Sequence, residues 1–439
     1  MQHCESYQQG SDYHSLLHAS CHCCADLAKR LFFWILLLLP VFCVIELASY
    51  ISVKESVPTR ILYRAELSRR IQPGTPDYSQ NRPKFVQAAA PARESSGLLL
   101  FHPILGWDYP PELVHADAQA VVYTHGKMGE RRTCTNFDST MIATYGDSFT
   151  YCAEAGDEDT WQTHLARKLG TNVLNFGVGG YGTDQALLKY ENNGQYATKI
   201  VLLCIFPENI NRVVNIYRPF YTYHDPLKLT KPRFMADAQG ITLVPNPVTS
   251  IAELSKLDQD SFLQALGKLD YWYQLDRNLP RFRFPYSLAF FEWSESVFSQ
   301  LSSRVSWLAE YHQPHVWDLF NQAGPLSIMC YIADRFVAIA KERGEEPIIV
   351  LMPHKDYVNE LKDCKISRMA QFIQYLDRRN YHCIDAIRCM WEMNPNQEQL
   401  EAWYGGHATP AGNKIVAEIL NREIGHHLQI GALTDAHRP

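Results

Sequence analysis

A serine hydroxyl attacks a carbonyl when a base takes its proton and N–H donors hold the oxyanion that forms. Four stretches of this 439-residue sequence offer those groups. "TYGDSFTYC" sets Asp147 and Ser148 just past a short apolar run, "TMIATYG". "NFGVGGYGTDQ", residues 175–185, is a glycine-rich turn containing Gly180. "CIFPENINR" carries Asn209, with Asn211 as a possible substitute two positions on. "WYGGHATPAGNKIVAEIL" places His407 before a helix-like run, with Thr409 suited to the N-cap and Pro410 to the first helical position. Ser148, Gly180, Asn209 and His407 thus follow one another in chain order, each near the end of an expected strand or the start of an expected helix. Such a set suits acyl transfer through a serine. The tripeptide around Ser148, taken alone, equally suits a helix N-cap.

The glycines admit a second chemistry. Gly177, Gly179 and Gly182 match G-x-G-x-x-G between an apolar run and a helix-like run, the context of a dinucleotide site. That site also needs an acidic residue about 20 positions later, at the end of the next strand. Here the neighbourhood reads "VLLCIF", and Glu208 comes late. No nucleotide cofactor is expected, and no other cofactor. No metal is expected either, since His18 and His22 do not complete a ligand spacing with Cys21, Cys23 and Cys24. A formal net charge of −6 gives no footprint for nucleic acid.

The elements that must hold these residues alternate. Strand-like runs fall at "TMIATYG" (140–146), "TNVLNF" (171–176), "KIVLLCIF" (199–206), "PIIVLMP" (347–353) and "YHCIDAI" (381–387). Helix-like runs lie between them: "DTWQTHLARKLG" puts Trp161, Leu165 and Leu169 on one face, with Gly170 as its stop. The alternation predicts an α/β fold, a doubly wound parallel sheet sandwiched by helices, with ligand groups gathered at the carboxyl ends of the strands.

The order Gly-Asp-Ser, glycine loop, asparagine, late histidine resembles the SGNH (GDSL-type) hydrolase family. The resemblance covers about residues 140–210 and 380–425. It implies Ser148 as nucleophile and His407 as base. It implies an oxyanion hole made of the Ser148 N–H, the Gly180 N–H and the Asn209 side chain. Asp147 would steady the loop. Two positions depart from the family pattern. The third block reads Pro207-Glu208-Asn209-Ile210 instead of Gly-x-Asn-Asp, and Tyr404 stands three residues before His407, where the family carries an aspartate. Glu401, Asp385 or a backbone carbonyl are the candidates to orient the imidazole in its place.

Around this core the sequence divides into a polar head with Cys and His (1–30), an apolar run (31–53), a linker rich in Pro, Gly and Ser (54–95), a small β-rich annex (96–135), the hydrolase-like domain (136–425) and a tail (426–439). The run "LFFWILLLLPVFCVIELASYISV" is long enough to span a bilayer, which makes a single-pass membrane location the expectation. The basic residues on either side and the head cysteines argue for opposite orientations, so the side of the domain stays open. An insertion at about 212–345, rich in aromatics, reads as a helical cap or as a lid or groove for substrate. The expected function is a membrane-anchored serine esterase whose substrate is an ester, on a glycan or lipid among other carriers. The alternatives are acetyl transfer to or from a surface glycan, and a silent binding protein that has lost its acid.

Overall fold

The computed structural model describes the backbone of residues 9–71, 92–94, 97–117, 120–193, 198–222, 227–280, 282–298 and 318–435, with Tyr196 and Asp225. Side chains are described within 29–65, apart from residue 31, and within those spans from 99 to 425. The side chains of Cys21, Cys23 and Cys24, half of the expected linker (72–91 and 95) and residues 299–317 lie outside the described residues. The chain divides into two units, residues 1–67 with 279–313 and residues 68–278 with 314–439.

The second unit is built on five parallel strands. These are β1 (Thr140–Tyr145), β2 (Asn172–Asn175), β3 (Ile200–Ile205), β4 (Glu346–Leu351) and β5 (Cys383–Asp385). They lie in the order β2-β1-β3-β4-β5, all in parallel register, with Ile142 beside Ile200 and Ile200 beside Glu346. Every residue of β3 is buried, and so is β4 after its first. That is why both read as unbroken apolar runs: a strand covered on both faces has no polar side to alternate. The expected α/β class is what the structure displays. The strand order reverses between β1 and β3, and in open sheets of this type ligands bind beyond the carboxyl ends at that reversal.

Five helices concern the site: α1 (Ser148–Tyr151) after β1, α2 (Trp161–Leu169), α3 (Thr183–Asn192) after β2, α4 (Asn209–Val213) after β3, and α5 (Pro410–Asp435) at the end of the chain. Thr160 caps α2 by accepting the Thr163 N–H, and Gly170 ends it in the left-handed conformation. The apolar helix Ala323–Glu342 buries Ile328, Ile332, Phe336 and Ala340. It is a core helix of this unit, although its length and hydropathy would also suit a membrane.

Ahead of β1, the annex forms two small antiparallel sheets, Ala92–Glu94 with Gly97–His102 and Gly106–Asp108, and Val114–Ala116 with Val122–Thr124. The insertion at 212–345 is heterogeneous: it contains the hairpin Arg233–Asp237/Gly240–Val244 and the core helix just named, while its stretch 279–313 belongs to the first unit.

The first unit centres on the helix Gln9–Ser56. An 18-residue window within its stretch Phe32–Ser56 has a mean hydropathy of 2.3, and by length and composition the stretch can cross a membrane. Residues 59–71, inside the expected linker, form a further helix.

Candidate active site

β1 ends at Tyr145, and the chain turns through Gly146-Asp147 into α1, so Ser148 opens a helix at the carboxyl edge of the sheet. Asp147 is the N-cap; its Oδ1 accepts the Phe149 N–H at 2.9 Å. α1 lasts one turn and stops at Cys152, a non-glycine residue in the left-handed region (φ 61°). Glu154 lies there too, with φ 69°. Such backbone is uncommon for a residue with a Cβ and persists where surrounding contacts over-determine it.

Those contacts come from the annex. Arg131, 1% exposed, donates from Nη1 to the Tyr151 and Cys152 carbonyls at 2.6 Å each and from Nη2 to the Ala155 carbonyl. Its Nε pairs with Asp157 at 3.2 Å. The Glu154 N–H donates to the Tyr123 hydroxyl oxygen at 3.1 Å, and that hydroxyl donates to Asp117 at 2.7 Å. The annex therefore fixes the loop that carries Glu154, a task that its sequence did not reveal.

His407 lies in a tight turn between the helix Gln397–Trp403 and α5, with Tyr404 bridged to Ala408. Thr409 caps α5 by accepting the Gly412 N–H at 3.2 Å. The turn brings His407 Nε2 to 2.9 Å from Ser148 Oγ and His407 Nδ1 to 2.9 Å from Glu154 Oε1. An ionised carboxylate only accepts, so Nδ1 carries the proton and Nε2 is left to accept from the serine. A Cβ on Gly406 would stand 2.9 Å from Glu154 Oε1, so the glycine beside the histidine makes room for this approach. The hydrogen bond from His407 lowers the Glu154 pKa against a smaller opposing effect of burial. Phe149 lies beside the imidazole, with ring centres 4.9 Å apart.

The sequence placed the orienting acid elsewhere, and the structure corrects this. Glu401 projects from its helix to Lys355 at 2.6 Å and to Gln397 at 2.7 Å. Asp385 caps the following helix by accepting the Arg388 N–H at 3.0 Å. Neither carboxylate is on Nδ1. Tyr404 is 1% exposed and packs edge-on against His354 at 5.1 Å, so the position three residues before the histidine faces the core. Glu154 follows the nucleophile by six residues and lies far in sequence from the histidine it orients, near which the family pattern puts its acid. Two signals were available: a carboxylate six residues past Ser148, and paired glycines at 405–406.

The remaining candidates occupy the loops after the strands that flank β1. Gly180 follows β2 with φ 76°, and a Cβ on Gly177 would strike the Tyr151 nitrogen at 2.2 Å. The glycine run thus lets its loop lie against α1. Trp107 of the annex braces that loop, donating from Nε1 to the Gly179 carbonyl at 2.9 Å and accepting the Tyr181 hydroxyl at 2.7 Å. Asn209 opens α4 after β3, is 1% exposed, and among the described residues has no partner for Oδ1 or Nδ2. The main-chain carbonyl of Asn211 accepts the Trp272 indole N–H at 2.8 Å.

Arg212 ties the three loops together. It donates to the Tyr181 carbonyl at 3.1 Å and pairs with Asp147 at 3.5 Å and Glu208 at 2.6 Å. Asp147 is fully buried; burial raises its pKa and Arg212 opposes the rise. Among the described residues no group of three or more His, Cys, Asp or Glu could hold a metal ion.

No family model matches this chain. No curated protein matches it either. In its parallel sheet and the succession of its blocks the chain resembles the SGNH (GDSL-type) hydrolases. Among solved structures it is similar to a protein from Desulfitobacterium hafniense DCB-2 assigned to the G-D-S-L family, with 12% identity and a TM-score of 0.29 over 65% of this chain and 99% of that one. A protein from Slackia heliotrinireducens assigned as an SGNH hydrolase has 13% identity and a TM-score of 0.28 over 65% of this chain and all of that one.

Proposed function

We propose that this protein is a serine esterase of the SGNH type, held at a membrane by the apolar helix that contains Phe32–Ser56. The observation that carries the catalytic reading is the unbroken series Glu154–His407–Ser148, with 2.9 Å at each link. Ser148 Oγ bonds to the ester carbonyl carbon while its proton passes to His407 Nε2. The oxyanion rests on the Ser148 N–H, the Gly180 N–H and the Asn209 amide. When the carbonyl–alkoxy bond breaks, Nε2 returns the proton to the leaving alcohol. Water then adds to the acyl-serine, giving its proton to Nε2; the carboxylic acid departs and Ser148 Oγ is reprotonated. Glu154 holds the Nδ1 proton and offsets the imidazolium charge at both stages. The silent-protein reading drew its support from the missing aspartate, and a carboxylate on Nδ1 removes that motive.

The membrane reading rests on the helix surface. Phe33, Ile35, Leu37, Leu39, Val41 and Val44 are each more than half exposed, a surface that water does not tolerate over such a length.

Two results test the catalytic reading. A fluorophosphonate probe applied to the full-length protein in detergent should label Ser148, located by peptide mass, and Ser148→Ala should abolish labelling. No labelling, together with no turnover of short acyl esters, would end the esterase reading. Asn209→Ala should lower kcat on a p-nitrophenyl ester by about 10²–10³ with the melting temperature almost unchanged, because its amide bonds nothing among the described residues. A loss confined to Asn211→Ala would move the oxyanion assignment by two residues.

A further inference from the structure

The insertion contributes a segment to the first unit that the esterase chemistry does not use. It reads Arg281-Phe282-Arg283-Phe284-Pro285-Tyr286 and continues through the helix Tyr286–Glu292. The helical path runs on, since Trp293 N–H bonds the Ala289 carbonyl and Val297 N–H bonds the Trp293 carbonyl. Ala289, Trp293 and Val297 form its buried face, each 2% exposed. Its outer face is apolar as well: Phe284 is 60%, Leu288 61% and Phe291 73% exposed.

This segment is docked on the apolar helix. Phe284 meets Phe42 edge-on at 5.9 Å, and Tyr50 stacks on Phe282 at 5.6 Å and meets Tyr286 at 4.9 Å. Between these contacts lies Glu46, the one Asp, Glu, Lys or Arg from 31 to 53. It is 6% exposed, and it accepts the N–H groups of Tyr286 and Ser287 and the Ser287 hydroxyl. A carboxylate inside a membrane span is costly unless the protein satisfies it, and here the inserted segment does so. The contacts run from Phe42 to Tyr50, eight helical steps apart, a depth of about 12 Å.

We propose that Phe284, Leu288 and Phe291 bind the acyl chains of the bilayer, so that the inserted segment enters the membrane beside the anchor. The inference rests on the membrane reading of the first helix. Three observations favour lipid as the occupant. The exposed face is apolar at Phe284, Leu288 and Phe291, its Phe284 end lies beside Phe42 within the apolar run, and the segment satisfies the only charge buried there. Arg283, exposed between the two phenylalanines, can carry its charge out toward headgroups along its aliphatic stem. Glu292 and Glu295, also exposed, mark where the segment meets the polar layer. The chain passes between the two units after residues 67, 278 and 313, so the catalytic unit is joined to the membrane-bound unit through three connections instead of one.

The test uses the full-length protein in nanodiscs of phosphatidylcholine and phosphatidylglycerol, with benzoylphenylalanine replacing Phe33, Phe284 or Phe291 singly. Illumination should give phospholipid adducts, read by peptide mass, at all three positions. Lipid adducts at residue 33 but none at 284 and 291 would overturn the proposal and leave the anchor standing. Adducts at 284 and 291 to a second copy of the chain, or to its own catalytic unit, would overturn it in favour of a protein occupant. No lipid adduct at residue 33 would overturn the membrane reading itself.

Discussion

Ser148→Ala and His407→Ala should each lower kcat on a short acyl ester by about 10⁶, and the double variant should be no slower than either. The two side chains act as one unit: without Nε2 the hydroxyl keeps its proton, and without the hydroxyl the imidazole has none to take. Their removal leaves the oxyanion donors in place, so a residual rate of about 10³–10⁴ over water should remain. Neither change should unfold the protein. Ser148 Oγ bonds His407 Nε2, and the His407 turn is held by main-chain bonds from Gly405 to His407 and from Thr409 to Trp403. The check is single-turnover kinetics on p-nitrophenyl acetate, with melting curves for each variant. If His407→Ala loses less than about tenfold, the base lies elsewhere and the mechanism is wrong.

The parts of this centre that sequence could show are those written in local pattern. β3 and β4 announce themselves as apolar runs because both faces are covered. Ser148 follows a strand, and His407 precedes a Thr-Pro helix start, so both stand where side chains are presented at a sheet edge. Glu154 has no such mark. Its backbone is left-handed, its partner is 253 residues away, and the contact exists because Arg131 and Tyr123 hold the intervening loop. The carboxylates nearer the histidine in sequence are already engaged: Glu401 belongs to Lys355, and Asp385 is spent on a helix cap. The insertion was opaque for a related reason. Its phenylalanines at 284 and 291 have the composition of a core or a lid, and what ties that stretch to the N-terminal helix is its contact with Phe42, Glu46 and Tyr50, some 240 residues earlier.

Glu154→Gln should lower kcat by about 10³–10⁴ and leave KM nearly unchanged. In a serine protease the corresponding acid-to-amide change costs about 10⁴, because the imidazole is then held in the wrong tautomer. The same logic applies here. The carboxylate can only accept, so it selects Nδ1–H and frees Nε2 for Ser148; an amide can donate to Nδ1 and turn the protonated nitrogen toward the serine. KM should move little, because the carboxylate strengthens its contact only as the imidazolium forms. Stability should move little too. The Glu154 side chain is 46% exposed, and a pair of that exposure contributes on the order of 1 kcal/mol or less. What it does contribute has a definite sign. The folded-state pKa is lowered, so the contribution is complete above the ordinary glutamate value, about 4.3, and is lost as pH falls through the folded value. At neutral pH the variant therefore tests an ionised partner. Tyr404→Asp should not rescue it, since residue 404 is buried against His354 and a carboxylate there would be taken out of water without reaching Nδ1. If Glu154→Gln keeps wild-type kcat, Ser148 and His407 work as an unassisted dyad. If Tyr404→Asp restores the rate of Glu154→Gln, the turn rearranges enough for the upstream position to serve, and the acid is then not tied to the Ser148 loop.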